Sequence, residues 1–175
     1  DDRKQHDGSI PLIGGLSIYF GLMVAIYITQ PLPDNLFYLL MTASLVLLIG
    51  LLDDLKDLGI WPRILVQIIS CVILLLFTDT CITSFGSPFG SNEIELGKLA
   101  IPFTIFAVVG LVNAFNMSDG IDGLAGSLAI VTIIGIILFD AVTKNPPFLG
   151  FLLMFSAALL PYLFTNLISS QKIFL

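Results

Sequence analysis

Charge is what this chain has least of. Charged residues make up 11% of its 175 residues, against 57% hydrophobic ones. A soluble domain of this size cannot hide so much apolar material, so the soluble classes are excluded and an integral membrane protein remains. Seven basic residues stand against thirteen acidic ones, a net charge of -6, and no nucleic-acid partner is expected. Cysteine is limited to Cys71 and Cys81. Ten helical residues would part them by about 15 Å, beyond disulfide reach unless a helix ends between them. The apolar runs lack alternation of apolar and polar residues, which argues against a transmembrane barrel. There is no internal repeat, no low-complexity tract and no second domain. No basic n-region with a cleavage site follows Asp1, so no signal peptide is expected.

What the chain does have is apolar runs. Six can be read, Ile10–Thr29, Leu36–Leu52, Ile64–Phe77, Leu99–Phe115, Leu124–Phe139 and Phe148–Leu167. Two approach the ~20 residues of a full span. Ile64–Phe77 becomes long enough if Trp61 and Pro62 open it at the interface and its far end reaches Cys81. The expected fold is an all-α, polytopic transmembrane helical bundle of about six helices, a single membrane domain over 1–175. With the N-terminus in the cytoplasm, Arg3, Lys4, Lys56, Arg63 and Lys172 lie inside, and Lys98 and Lys144 outside, as the positive-inside rule favours. That orientation brings Asp1–Ile10, the Asp53–Arg63 loop, the Asn113–Asp122 motif and the tail after Leu167 to one face. The chemistry is expected there, in one pocket. The outer loops Gln30–Asn35, Thr78–Lys98 and Asp140–Pro147 carry ordinary turn residues.

Eight of the thirteen acids fall in or beside three polar stretches. In Asp53-Asp54-Leu55-Lys56-Asp57, Asp53 and Asp57 would share a helical face, at a helix C-terminus where the dipole disfavours anions. A solvated loop capped by Asp57 would explain the run blandly. Read functionally, paired carboxylates suit a hard cation such as Mg2+, which commonly bridges to substrate phosphates.

In Asn113–Ala125, Asn113, Asn116, Asp119 and Asp122 recur every three residues. On one straight helix those steps wind through about 180°, so the four could not face one ligand. Gly120 and Gly123 permit a break that would turn both aspartates and free backbone N–H groups toward a cavity, with a new helix N-terminus near Gly123 favouring an anion. The alternative is a plain interhelical turn with Asp caps. Ionisable groups at the edge of hydrocarbon are functional candidates by default.

The N-terminal stretch Arg3-Lys4-Gln5-His6-Asp7-Gly8-Ser9-Ile10-Pro11 offers cations for phosphates, or simply the positive-inside signal. Gln67, Ser70 and Thr104 are sufficiently explained by interhelical hydrogen bonds. Asp140 is read as interfacial.

The order of the basic stretch leading to Ile10–Gly15, then Leu51–Gly59, then Asn113–Ser127 resembles the polyprenyl-phosphate N-acetylhexosamine-1-phosphate transferases over nearly the whole chain. The similarity is greatest to the bacterial branch that uses N-acetylglucosamine and undecaprenyl phosphate. It is weaker to the branch that transfers phospho-N-acetylmuramoyl-pentapeptide, which stays as an alternative. The resemblance implies a Mg2+-dependent enzyme, with Mn2+ as a substitute, in the bacterial inner membrane with its site facing the cytoplasm. It implies transfer of a sugar-1-phosphate from a UDP-N-acetylhexosamine to a polyprenyl phosphate, releasing UMP and starting a lipid-linked cell-surface polysaccharide such as lipopolysaccharide. Its partners would be these two substrates and the bilayer, with a homodimer as one assembly.

Carried onto this sequence, the resemblance implies Asp53, Asp54, Asp119 and Asp122 as catalytic residues and Asp53 and Asp54 as metal contacts. Asp53 would serve as base or as a contact to the lipid phosphate. Substrate binding would fall to Lys4, Asn113, Asn116, Gly120 and Ile121, the last two near the uridine. The family's first helix, its Gly-Asp motif after Leu175 and its His-rich loop are absent, so the chain is expected to be an inactive fragment of a longer transferase. A cation-coupled transporter is the rival from another class, since broken helices and intramembrane acids serve there as well.

Overall fold

The computed structural model describes residues 14–29, 33–88, 90, 92–143 and 148–168. Arg3, Lys4, His6, Lys144 and Lys172 lie outside the described residues. Among the described residues six α-helices follow in order: α1 (Gly14–Thr29), α2 (Asp34–Lys56), α3 (Ile60–Thr78), α4 (Ala100–Ser118), α5 (Leu124–Thr143) and α6 (Leu149–Ile168). Five of them, α2 to α6, are long and apolar enough to cross a membrane; α1 has 16 described residues and is shorter. Large apolar side chains such as Phe106 (74% exposed) and Leu138 (61%) point outward. A helix apolar on its outer face suits lipid rather than water. The protein is an all-α polytopic membrane protein.

The helix ends explain where the apolar runs misjudged them. α2 continues four residues past Leu52, so Asp53 and Asp54 belong to its last turn. Helical hydrogen bonding does not stop at the first charge. Asp57 then leaves the helix in the left-handed region (φ 47°), and its N–H closes on the Asp53 carbonyl at 2.8 Å, a common way to end a helix. It therefore does not continue a helical face with Asp53. Trp61 and Pro62 do open α3, as expected, behind an extended Gly59. Pro is tolerated there because first-turn N–H groups have no helical partner. α3 reaches span length without extending to Cys81, the condition set for it by the sequence. α3 stops at Thr78, where Asp79 takes the left-handed conformation (φ 50°) and donates to the Leu75 carbonyl.

The chain divides into two compact units, Leu32–Ala114 and Asp1–Pro31 with Phe115–Leu175. In the first, α2 packs on α3, with Tyr38 stacked on Phe77. Among the described residues, strand pairing is limited to the antiparallel bridge Ser84–Glu95. It sits in a turn back toward α4, where the Phe85 ring meets Phe103 edge-on.

Two contacts fix the direction of α4 against α3. The Ile82 N–H, just past the end of α3, donates to Thr104 Oγ1 at 2.9 Å. Asn113, nine residues on, donates to Gln67 near the start of α3 at 2.7 Å. The two helices are antiparallel, and the Asn113 end of α4 lies level with the beginning of α3. Gln67 thus makes the expected interhelical bond. Thr104 bonds within α4 and to the loop instead, and the buried Ser70 hydroxyl has no hydrogen-bond partner.

In the second unit, α1 and α5 both pack on α6. The core holds Ile18, Ile133, Leu152, Leu159 and Tyr162. Buried Gly14, Ile18, Leu22 and Ile26 recur every four residues along α1, the spacing of one helical face. Asp140 lies inside α5 rather than beyond it, with Oδ2 buried and unpaired.

Candidate functional site

The two acidic clusters fall in different units, and each has its own construction. In the first, Asp53 and Asp54 are successive residues in the closing turn of α2, Asp53 partly buried and Asp54 exposed. A carboxylate there opposes the helix dipole. Arg63, on the first turns of α3, compensates: its Nη1 lies 2.7 Å from Asp53 Oδ2, with the side chains 26% and 19% exposed. The short turn Asp57–Gly59 between the helices brings them together. One turn further along α3, Gln67 Oε1 accepts from Asn113 Nδ2, which also donates to the Val109 carbonyl at 2.8 Å. Both amide hydrogens of Asn113 are thereby engaged, so any contact of Asn113 with a substrate falls to Oδ1. Arg63 and Gln67, one turn apart on α3, thus hold Asp53 and Asn113 in two separate pairs.

In the second cluster the helix breaks, as the glycines suggested. α4 ends at Ser118, and α5 begins at Leu124 behind Gly123, which has φ +71°. Gly123 is buried against Leu167, and a Cβ there would collide with the Leu167 side chain. Asn116 is exposed on the last turn of α4, and Gly120, Ile121 and Asp122 are exposed in the turn; Asp119 is partly buried.

The expected free backbone donors are already occupied at Ile121, Gly123 and Leu124. The Ile121 N–H bonds the Ser118 carbonyl, and the Leu124 N–H bonds the Ile121 carbonyl. The Gly123 N–H donates to Asn166 Oδ1. Two of these three N–H groups are satisfied within the turn and its flanks, and the third by a side chain of α6. The Asp119 carboxylate accepts from the Tyr162 hydroxyl at 2.9 Å. Tyr162 and Asn166 stand one turn apart on α6 and hold the two ends of the turn.

Sequence reasoning missed three of these residues. Arg63 counted only as a cytoplasmic cation. Asn166, a polar residue in an apolar run, carried a readable signal of a buried partner. Tyr162 carried none. An apolar groove of about 710 Å³ beside Pro161 and Phe164 has no charged lining and does not suit a phosphate.

Among the described residues no group of three or more His, Cys, Asp or Glu could hold a metal. Asp53 and Asp54 offer a pair of hard oxygen donors. Such a pair suits a Mg2+ that completes its coordination with phosphate oxygens and water, not one caged by protein.

An all-α membrane protein with carboxylates gathered at helix ends is the class that fold and site define. The chain belongs to glycosyl transferase family 4, whose model matches residues 36–175 and so includes both clusters. It is 38% identical over 168 residues to the undecaprenyl-phosphate alpha-N-acetylglucosaminyl 1-phosphate transferase of Escherichia coli O157:H7, covering 94% of this chain and 45% of that protein. The protein of the same name from Yersinia pestis is 37% identical with the same coverage. A probable undecaprenyl-phosphate N-acetylglucosaminyl 1-phosphate transferase of Bacillus subtilis is 30% identical over 166 residues, 94% of this chain and 46% of the relative. The chain spans about half the length of these relatives. No solved structure matches it.

Proposed function

We propose that the intact protein transfers N-acetylglucosamine-1-phosphate from its UDP-sugar to undecaprenyl phosphate, releasing UMP, at the cytoplasmic face of a bacterial inner membrane. The observation that carries this reading is the similarity to transferases of that name along 94% of the chain, through both acidic clusters. In the reaction, an oxygen of the lipid phosphate attacks the phosphorus that bears the sugar. The bond from that phosphorus to the bridging oxygen breaks, and the bridging oxygen leaves with UMP.

Two anionic substrates repel each other, so the protein's task is to neutralise and align them. Asp53 and Asp54 would hold Mg2+, which supplies positive charge against the diphosphate and the departing UMP. Arg63 keeps the Asp53 carboxylate in place at 2.7 Å. A phosphate monoester has a second pKa of about 6 and is mostly dianionic at neutral pH. The attacking oxygen therefore needs no strong base, and Asp53 positions rather than abstracts. Asp119 and Asp122, with Asn116, Gly120 and Ile121, would face the uridine-diphosphate end.

The test is to incubate intact protein with radiolabelled UDP-sugars and undecaprenyl phosphate and to identify the lipid product. The expected outcome is a lipid-linked N-acetylglucosamine diphosphate, formed only with Mg2+ or Mn2+, and a loss of about 100-fold or more with Asp53→Asn. Full activity of Asp53→Asn at unchanged Mg2+ dependence would remove Asp53 from the mechanism. A cation-coupled transporter would need no uridine site and would release no UMP.

A further inference from the structure

We propose that Tyr162 is a positioning residue for Asp119, and that α6 is the template on which the acidic turn between α4 and α5 is shaped. The inference deepens the transferase reading and rests on it. Tyr162 is 5% exposed and belongs to the core with Ile18, Ile133, Leu152 and Leu159. Its ring cannot swing without disturbing that packing, so the place of its hydroxyl is set by the core. From there it donates to Asp119 Oδ1 at 2.9 Å.

The opposite end of the turn is held from the same helix. Asn166 is 1% exposed and accepts the Gly123 N–H. Close approach of α5 to α6 is secured by Gly126, where a Cβ would lie 2.9 Å from Leu163 Cδ1 and 3.3 Å from Tyr162 Cε1. Side chain at one end, backbone at the other and glycine contact beyond leave the turn little freedom along α6. A reacting group displaced by 1 Å loses about 100-fold in rate, so a fixed carboxylate is worth a dedicated donor.

The experiment compares kcat and KM for the UDP-sugar in intact wild-type protein, Tyr162→Phe, Asp119→Asn and the double variant, with thermal unfolding of each in detergent. Phenylalanine keeps the ring in the core and removes only the hydroxyl. The expected result is a roughly tenfold fall in kcat for Tyr162→Phe, a KM within about twofold, an unfolding midpoint near wild type, and no further fall when the change is added to Asp119→Asn. A purely structural tyrosine would lower the unfolding midpoint and would lower turnover equally in both backgrounds, which overturns the proposal. Wild-type kcat in Tyr162→Phe overturns it as well. The wild-type arm reports on the transferase reading separately: no lipid product from it counts against that reading, whereas full activity in Asp119→Asn overturns the proposal, because a carboxylate that turnover does not need requires no positioning.

Discussion

Arg63 and Gln67 stand one helical turn apart on α3, and between them they tie down a carboxylate of α2 and an amide of α4. Arg63 reaches back to Asp53 at 2.7 Å, while Gln67 accepts from Asn113 at the same distance. A cation and an amide on one helix thus fix two of the candidate site residues from outside their own elements.

The first pair is expected to be coupled. Removing the guanidinium with Arg63→Gln leaves a partly buried carboxylate at a helix C-terminus with its best donor gone. Loss of a charge-assisted hydrogen bond costs about 1–3 kcal/mol. A double-mutant cycle with Asp53→Asn, read by thermal unfolding in detergent, should return a coupling of about 1 kcal/mol or more. Simple additivity would show that the contact contributes nothing to stability.

The second pair should behave as a membrane hydrogen bond. Such bonds are worth about 0.6 kcal/mol on average and up to about 1.7. Gln67→Leu and Asn113→Leu should each destabilise, and the double change should cost less than their sum, because neither partner is then left unpaired. If Asn113→Leu abolishes UDP-sugar binding while Gln67→Leu leaves it intact, the Asn113 Oδ1 has a ligand role beyond this bond.

Glycines 120 and 123 should respond differently to alanine. Gly123 sits at φ +71° with Leu167 in the way, whereas the nearest atom to a Cβ at Gly120 is the Met117 carbonyl oxygen at 3.5 Å, an ordinary contact. Gly123→Ala should destabilise by about 1–3 kcal/mol, and Gly120→Ala by no more than about 0.5. Trimming the obstacle with Leu167→Ala should relieve only part of the first effect, since the backbone strain stays. Equal midpoints for the two alanine variants would contradict the assignment.

Sidedness is open to chemical labelling. Two consecutive crossings, α3 and α4, separate residue 56 from residue 118, so Lys56→Cys and Ser118→Cys should react with an impermeant thiol reagent from the same compartment, the cytoplasm. Lys98→Cys should react from the opposite one. Labelling of positions 56 and 118 from different sides would sink the topology and the proposed transferase with it.

Much of the fold was legible because each helix core is a run of apolar residues, and the break at Gly120–Gly123 because few residues accept positive φ. The helix ends were not. Asp53, Asp54 and Asp140 are charged yet helical, and a hydropathy run ends at the first charge while backbone hydrogen bonds carry on. Asp79 was equally opaque: nothing in Thr78–Cys81 distinguishes a left-handed cap from another turn of α3.

At the candidate site, the carboxylates were visible as polar breaks, but what orients them was not. Arg63 lies ten residues from Asp53, and Tyr162 lies 43 from Asp119. Those pairings are made by packing, which local pattern does not encode. Asp119 was the easier half of its pair to find because acid beside hydrocarbon is rare, whereas tyrosine is at home there.

Pro161, inside α6, immediately precedes the residue that grips Asp119. It has no N–H to offer the carbonyl four residues back, so α6 is least stiff at that joint. Bending there would pull Tyr162 away from Leu152 and Leu159 on the far side of the proline, so the core that sets its hydroxyl also braces the joint. The acidic turn hangs from that braced joint, and weakening the core around Tyr162 would loosen both together.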